Sequence, residues 1–395
     1  MKITLAAAAA FLMLSSTGAR AAVLEDVKSL LTPMREHPND PAQMLRADFL
    51  GARAQLRGWI DTQLATFKYN GDTAAFEKSL NGQIAAADLT CIDVKPPGYD
   101  RCVSPGERDA RGYLGAIEVA RVRDFLIVQS QIGVSCGFDE TAYVYEWVKD
   151  GWRLLIDTSR KPDSNGVFVP EQIQQVQFGQ PDKLPKDEIV LLATSASLTC
   201  APPPRQVHFR VWSAKHGVGS ALLIDGREGN AVIGRRDPAV SARFEGNDVL
   251  VEMDVMSLDP KRGRRVVVQR FAITEQTPRR IAPFALTPRD FVEEWLRAPW
   301  SVASAWTQTA ARAALERIHA DINAGELRAS FPSPTSRCEK EDGVVQVAVR
   351  LPNGERFFRI KHDPAGAYEM RGADSTSSPA CRTPDAGLDA ARTLF

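Results

Sequence analysis

Three strand-like runs set the plan of this chain: Asp124-Phe125-Leu126-Ile127-Val128, then Tyr143-Val144-Tyr145-Glu146-Trp147, then Trp152-Arg153-Leu154-Leu155-Ile156-Asp157. The set recurs from Asp187, through Val207-His208-Phe209-Arg210-Val211-Trp212 to Ala221-Leu222-Leu223-Ile224-Asp225. It recurs again from Asp248, through Val267-Val268-Gln269-Arg270-Phe271 to Arg280-Ile281-Ala282-Pro283-Phe284. The leading aspartates lie 63 and then 61 residues apart, a spacing that reads as divergent repetition of one supersecondary unit. A preceding run in each case (Tyr113 to Val119, Ile173 to Phe178, Val240 to Phe244) makes each unit a four-stranded meander. Turn residues fall between the runs at Lys149-Asp150-Gly151, Asp225-Gly226, Glu245-Gly246-Asn247 and Arg262-Gly263.

On either side of this region the apolar period changes. Leu45, Phe49, Ala52, Leu56, Ile60, Leu64 and Phe67 recur every three or four residues, which puts them on one face of a helix. Asp40 and Pro41 supply a cap and a first position for it. Asn70-Gly71 stops it, and Asp72 caps a second helix carrying Phe76, Leu80 and Ile84. After Phe284, Thr287-Pro288-Arg289-Asp290 starts a helix with Phe291, Val292, Trp295 and Leu296. Pro299 interrupts it, and a further helix is expected to carry Val302, Trp306, Ala310, Ala314, Ile318 and Ile322 to Gly325. Val344 to Val349, Arg356 to Ile360 and Ala367 to Met370 then form a last meander, with Asn353-Gly354 as a hairpin signal. The tail from Gly372 is Ser/Thr/Pro-rich.

The expected fold class is therefore α+β: a helical N-terminal segment, an antiparallel β region of three repeated four-stranded meanders (propeller-like or a sandwich), then two helices and a small C-terminal meander. Three units are too few for a usual propeller. The expected divisions are a signal peptide over 1–21, a helical segment over 22–90, the β repeats over 91–286 and a C-terminal domain over 287–395.

Lys2, the apolar run Leu5 to Leu14 and the small-x-small Ala19-Arg20-Ala21 match a cleaved export leader, predicting cleavage near Ala21 and a periplasmic or secreted product. All six cysteines (Cys91, Cys102, Cys136, Cys200, Cys338, Cys381) lie beyond it, and an even count in an exported chain favours disulfides. Proximity favours Cys91 with Cys102, Cys136 with Cys200, and Cys338 with Cys381, among the 15 pairings that six cysteines allow. Lys plus Arg equal Asp plus Glu at 49 each, so no basic stripe argues for nucleic acid. The cluster Lys261-Arg262-Gly263-Arg264-Arg265 falls at a turn and reads as a solvated hairpin tip. No later run is long enough to span a membrane.

No chemical motif stands in its required context. Gly133-Val134-Ser135-Cys136-Gly137 fits G-x-S-x-G, but a strand follows where a nucleophile elbow needs a helix. Asp163-Ser164-Asn165-Gly166 resembles part of a calcium loop, yet Lys161 and Gln172 occupy its first and twelfth positions. His37, His208, His216, His319 and His362 lack metal spacing. His208 is read as facing solvent or a groove, and His319 as a surface residue. Phe291, Trp295, Trp300 and Trp306 read as core. No cofactor or metal is indicated.

Two functions remain. One is a non-catalytic binding module of the cell envelope, with a protein or glycan ligand. The other is a hydrolase of envelope glycan or peptide material that uses paired carboxylates among Asp139, Glu140, Glu252 and Asp254. Glu252 and Asp254 fall on one strand face, read as the wet side of a sheet.

Overall fold

The computed structural model describes residues 23–34, 47–90, 112–134, 137–159, 171–179, 188–197, 205–231, 240–273, 279–281, 285–325, 327–339, 341–362 and 367–390. The expected leader, the Asp40–Pro41 start, Ser135, the Asp163 turn and four of the cysteines (Cys91, Cys102, Cys136, Cys200) lie outside these residues. The chain combines helices with antiparallel sheets, and strands predominate. No described helix is long and apolar enough to cross a membrane. It divides into two compact units: Met1–Phe178 with Ser195–Pro202 and Trp212–Leu222, and Gly179–Thr194 with Pro203–Val211 and Leu223–Phe395.

The first unit sets three helices against a sheet. Helix α1 covers 23–34, α2 Ala47–Leu64 and α3 Thr73–Ala86. The predicted α2 stripe is the buried one, with Phe49, Ala52, Leu56, Ile60 and Leu64 in the core. Asp72 caps α3 by accepting from the N–H groups of Ala74 and Ala75 at 2.9 and 3.2 Å. Strands β1 (Glu118–Val122), β2 (Phe125–Val134), β3 (Gly137–Val148) and β4 (Gly151–Asp157) pair in chain order as the first repeat predicts, except that the first strand begins at Glu118 rather than running from Tyr113 to Val119. Because side chains alternate, Leu126, Val128, Ile132, Tyr143 and Tyr145 share the face that packs on the helices. The turns after β1 and β3 are two residues long. Each places a side-chain-bearing residue in the left-handed region, Arg123 at φ 56° and Lys149 at φ 54°.

Most of the later strands also lie where the repeats put them: β5 (Glu171–Gly179), β6 (Glu188–Ser197), β7 (Arg205–Lys215), β8 (Gly219–Ala231), β9 (Val240–Glu245), β10 (Asp248–Met256) and β11 (Arg264–Ala272); the strand expected over Arg280 to Phe284 is a two-residue β12 (Arg279–Arg280), and 282–284 lie outside the described residues. Their arrangement corrects the expectation of separate four-stranded meanders. In the second unit the order is β12-β11-β10-β8-β7-β6, with β9 also on β10, because Val255 pairs with Ala231 and joins the third set to the second.

Thr287 caps α4 (Pro288–Arg297) as predicted, its Oγ accepting from the Asp290 N–H at 3.1 Å. The expected single helix after Pro299 is instead broken: α5 (Trp300–Ala303), two 3-10 turns, then α6 (Arg312–Asn323). The break is held by Thr307. Its hydroxyl donates to Ala303 O, accepts from Trp295 Nε1, and its backbone bridges to Met370. Consequently Leu315, His319 and Ile322 are the buried residues of α6, while the predicted Ala310 and Ala314 are exposed. The last sheet has order β16-β15-β14-β13-β17, with β13 Ser336–Arg337, β14 Val344–Leu351, β15 Gly354–His362, β16 Tyr368–Asp374 and β17 Thr383–Pro384. Phe291, Trp295, Trp306, Val347, Phe358 and Met370 fill the core between this sheet and the helices. Cys338 and Cys381 are bridged, as chain proximity favours, and tie the tail beside β13.

Candidate functional site

The sequence-predicted acids separate into different environments. Strand β3 directs Asp139, with Tyr143 and Tyr145, toward the helices and Glu140 to the opposite face. Asp139 is buried, ion-paired to Arg53 of α2, and its Oδ1 accepts the Glu171 N–H at 2.9 Å. Burial nevertheless pushes its carboxyl above the usual range, against the pull of Arg53. Glu171 in turn accepts the Ser195 hydroxyl at 2.8 Å. Both Asp139 carboxylate oxygens are thereby engaged, one by Arg53 and one by the Glu171 N–H.

Glu140 is half-buried, and its pKa is pushed up to about 7, first by burial and then by the charges of Glu118 and Asp139. Strand register places Glu118 opposite Gln129 and Glu140 opposite Gln131, so these four side chains share one sheet face. An open cleft of about 320 Å³ borders that face, lined by Glu77, Glu118, Val119, Ala120, Ile127 and Gln129. Glu77 is oriented by the Val119 N–H, which donates to Oε2 at 2.8 Å. Of the two acids on this face, Glu118 lines the cleft and Glu140 does not.

A second feature of this unit escaped the sequence reading. The two-residue turn after β3 sets Trp147 directly across from Trp152, their rings edge to face at 5.2 Å. The link between α2 and α3 brings Tyr69 to 5.8 Å from Trp147 and 6.3 Å from Trp152, and stacks Phe67 on Phe76 at 4.3 Å. Into this group β1 sends Arg121. Its guanidinium carbon lies 5.3 Å from the Tyr69 ring, 5.3 Å from Trp152 and 5.9 Å from Phe67. Trp152 is fixed by donating to Phe67 O at 2.8 Å, and the Tyr69 hydroxyl donates to Asp124. All these rings are partly exposed, unlike the fully buried Tyr143 of the same sheet. The legible signal was the Trp147–Trp152 pair flanking Lys149-Asp150-Gly151. Nothing in sequence linked it to Tyr69 or Arg121.

In the second unit Glu252 and Asp254 share a strand face as predicted, but both are buried rather than wet, and Arg264 lies 3.2 Å from Asp254. The solvated-tip reading of Lys261 to Arg265 is likewise corrected. Gly263, at φ 70°, closes the turn, and α4 receives it. Arg262 sits 2.6 Å from Asp290 and Arg265 3.2 Å from Glu293. The Ser257 hydroxyl and Leu258 N–H donate to Glu293 at 2.8 and 2.5 Å. Acids of α4 thus meet Arg262 and Arg265, while Arg264 turns to Asp254 of β10 and Lys261 stays exposed. His208 is fully buried in β7, not directed at solvent or a groove. His319 is buried under Trp295, ring centroids 4.9 Å apart, and burial holds its pKa below the ordinary value. Among the described residues no group of three His, Cys, Asp or Glu could hold a metal.

No protein-family model and no curated protein matches this sequence. Among solved structures the chain is similar to an α-L-arabinofuranosidase from Fusarium graminearum in complex with an iminosugar inhibitor (11% identity, TM-score 0.28, 67% of each chain covered). It is also similar to an α-L-arabinanase mutant from Cellvibrio cellulosa (10% identity, TM-score 0.23, 71% of this chain and 82% of that one). A third is a xylan β-1,4-xylosidase from Bacillus halodurans (9% identity, TM-score 0.19, 68% and 59%).

Proposed function

We propose that this chain is a non-catalytic binding protein of the cell envelope that holds a glycan against the Tyr69, Trp147 and Trp152 rings of its first unit. The observation that supports this reading is the gathering of partly exposed rings around Arg121 at the turn end of the sheet. Sugar C–H faces pack on aromatic faces, while Arg121 and Asp124 offer a donor and an acceptor to ring hydroxyls. The polar ion pairs around Asp139 and Asp254 support the same reading, because those carboxylates are already committed to arginines. The leader pattern and the Cys338–Cys381 bridge fit an exported protein.

Binding to immobilised envelope polysaccharides tests the proposal. Trp147→Ala is expected to weaken retention about tenfold while the protein stays folded, on the scale of a lost aromatic contact. Unchanged retention overturns it. A second reading, a glycan hydrolase, is favoured by the acids Glu118 and Glu140 sharing one sheet face beside a cleft that Glu118 lines, Glu140 with its pKa pushed up to about 7. On that reading Glu140→Gln abolishes sugar release and spares binding. On the first there is no release to abolish.

A further inference from the structure

The second unit holds an open cleft of about 340 Å³ lined by Ala305, Trp306, Lys361, Tyr368, Glu369 and Arg371 together with Ala367. Its construction follows from strand register. Lys361 on β15 pairs with Glu369 on β16, and the neighbouring pair, Ile360 with Met370, points into the core. Lys361 and Glu369 therefore share the outer face. Between the pairs Ile360–Met370 and Arg359–Gly372 the register shifts, which leaves Arg371 as the extra residue of a bulge. Bulges re-aim a side chain, and here Arg371 turns beside Glu369, its Nε 2.7 Å from Oε2. Trp306 closes the cleft because Gln308 N–H donates to Met370 O at 2.9 Å and pins the 3-10 turn to the edge of β16. The Arg280 guanidinium lies 4.7 Å from the Trp306 ring centroid and is itself ion-paired to Glu294.

We infer that this cleft binds a single carboxylate-bearing sugar residue, with Lys361 meeting the carboxylate and Glu369 meeting the ring hydroxyls. The lining carries two cations and one anion, and the Glu369–Arg371 contact offsets one cation with the anion. Lys361 is left as the charge that selects an anionic group. Glu369 keeps acceptor capacity for hydroxyls beyond its arginine contact, since a carboxylate has about four lone-pair sites. Trp306, only 4% exposed, closes the cleft as a fixed edge of the core, so little ordering accompanies binding. The size suits one sugar ring, at the lower end of ordinary ligand pockets of roughly 300–1,000 Å³. This site is separate from the aromatic group of the first unit.

Calorimetric titration of the full chain with glucuronate, glucose and inorganic phosphate tests the inference. Glucuronate is expected to bind about tenfold more tightly than glucose, the scale of one charge-assisted contact, and more tightly than phosphate. Lys361→Gln is expected to erase the preference over glucose without moving the unfolding temperature, since Lys361 is exposed, and Lys361→Arg to restore it. Trp147→Ala is expected to leave glucuronate binding unchanged, which separates this site from the one in the first unit. Equal affinity for glucose, a preference that survives Lys361→Gln, or phosphate binding as tight as glucuronate overturns the inference.

Discussion

Arg53 on α2 and Asp139 on β3 form an ion pair sealed from solvent, with side chains 8% and 3% exposed. The pair fastens a helix to a sheet 86 residues further along the chain. Removing one partner leaves a charge without compensation in a low-dielectric site. Arg53→Met is expected to cost about 3–5 kcal/mol of stability in denaturant unfolding. The double variant Arg53→Met/Asp139→Asn removes both charges, keeps an acceptor for the Glu171 N–H, and is expected to recover most of that loss. A double variant no more stable than the single one contradicts this account.

Glu140 gives a pH dependence with a definite sign. Its folded pKa, pushed up to about 7, exceeds the ordinary 4.5, so the folded state holds the proton more tightly than the unfolded chain. The stability it contributes is present below 4.5 and is lost as pH rises through about 7, amounting to roughly 3 kcal/mol at most. Glu140→Gln should therefore raise the unfolding temperature relative to the native chain at pH 8 and have little effect at pH 4. An equal shift at both values would refute the assignment.

Glu293 is fully buried on α4 and receives Arg265, Ser257 and Leu258. Glu293→Ala strands the Arg265 guanidinium, and an unfolding loss of about 3–5 kcal/mol is expected. Glu316, exposed on α6, serves as the control, with Glu316→Ala expected to change stability by less than about 0.5 kcal/mol.

Cys338 and Cys381 close a loop across 43 residues. Replacing both with alanine is expected to lower stability by about 4 kcal/mol on the chain-entropy estimate. Mass spectrometry of exported protein should give a chain starting near Ala22 with this bridge intact. A reduced pair in that material would contradict the proposed envelope address.

Much of the fold was legible because local signals agreed with the long-range pairing. The strand runs were found from their alternation, the Thr287 cap from Pro288 and Asp290, and the last hairpin from Asn353-Gly354. What failed was partnership. Helical periodicity past Trp300 could not foresee that the Gln308 N–H would bond to Met370 O beside Thr307, a contact that breaks the helix and shifts its buried face. A basic turn reads as solvated until an acidic helix is laid over it, as α4 is over Arg262 and Arg265. The same gap hid the ring group, since Tyr69 and Arg121 are separated in sequence and meet Trp152 only after three helices pack on the sheet.

The pairing of Val255 with Ala231 has a mechanical consequence. Strand β9 covers one edge of β10 only as far as Met253, opposite Val240, and β8 takes over that edge at Val255. Continuity between the second and third repeats is therefore a matter of unequal lengths: the longer strand overhangs its hairpin mate and reaches a neighbour. Lengthening β9 by two or three residues would claim the overhang and turn one continuous sheet into two, with every side chain in the seam unchanged.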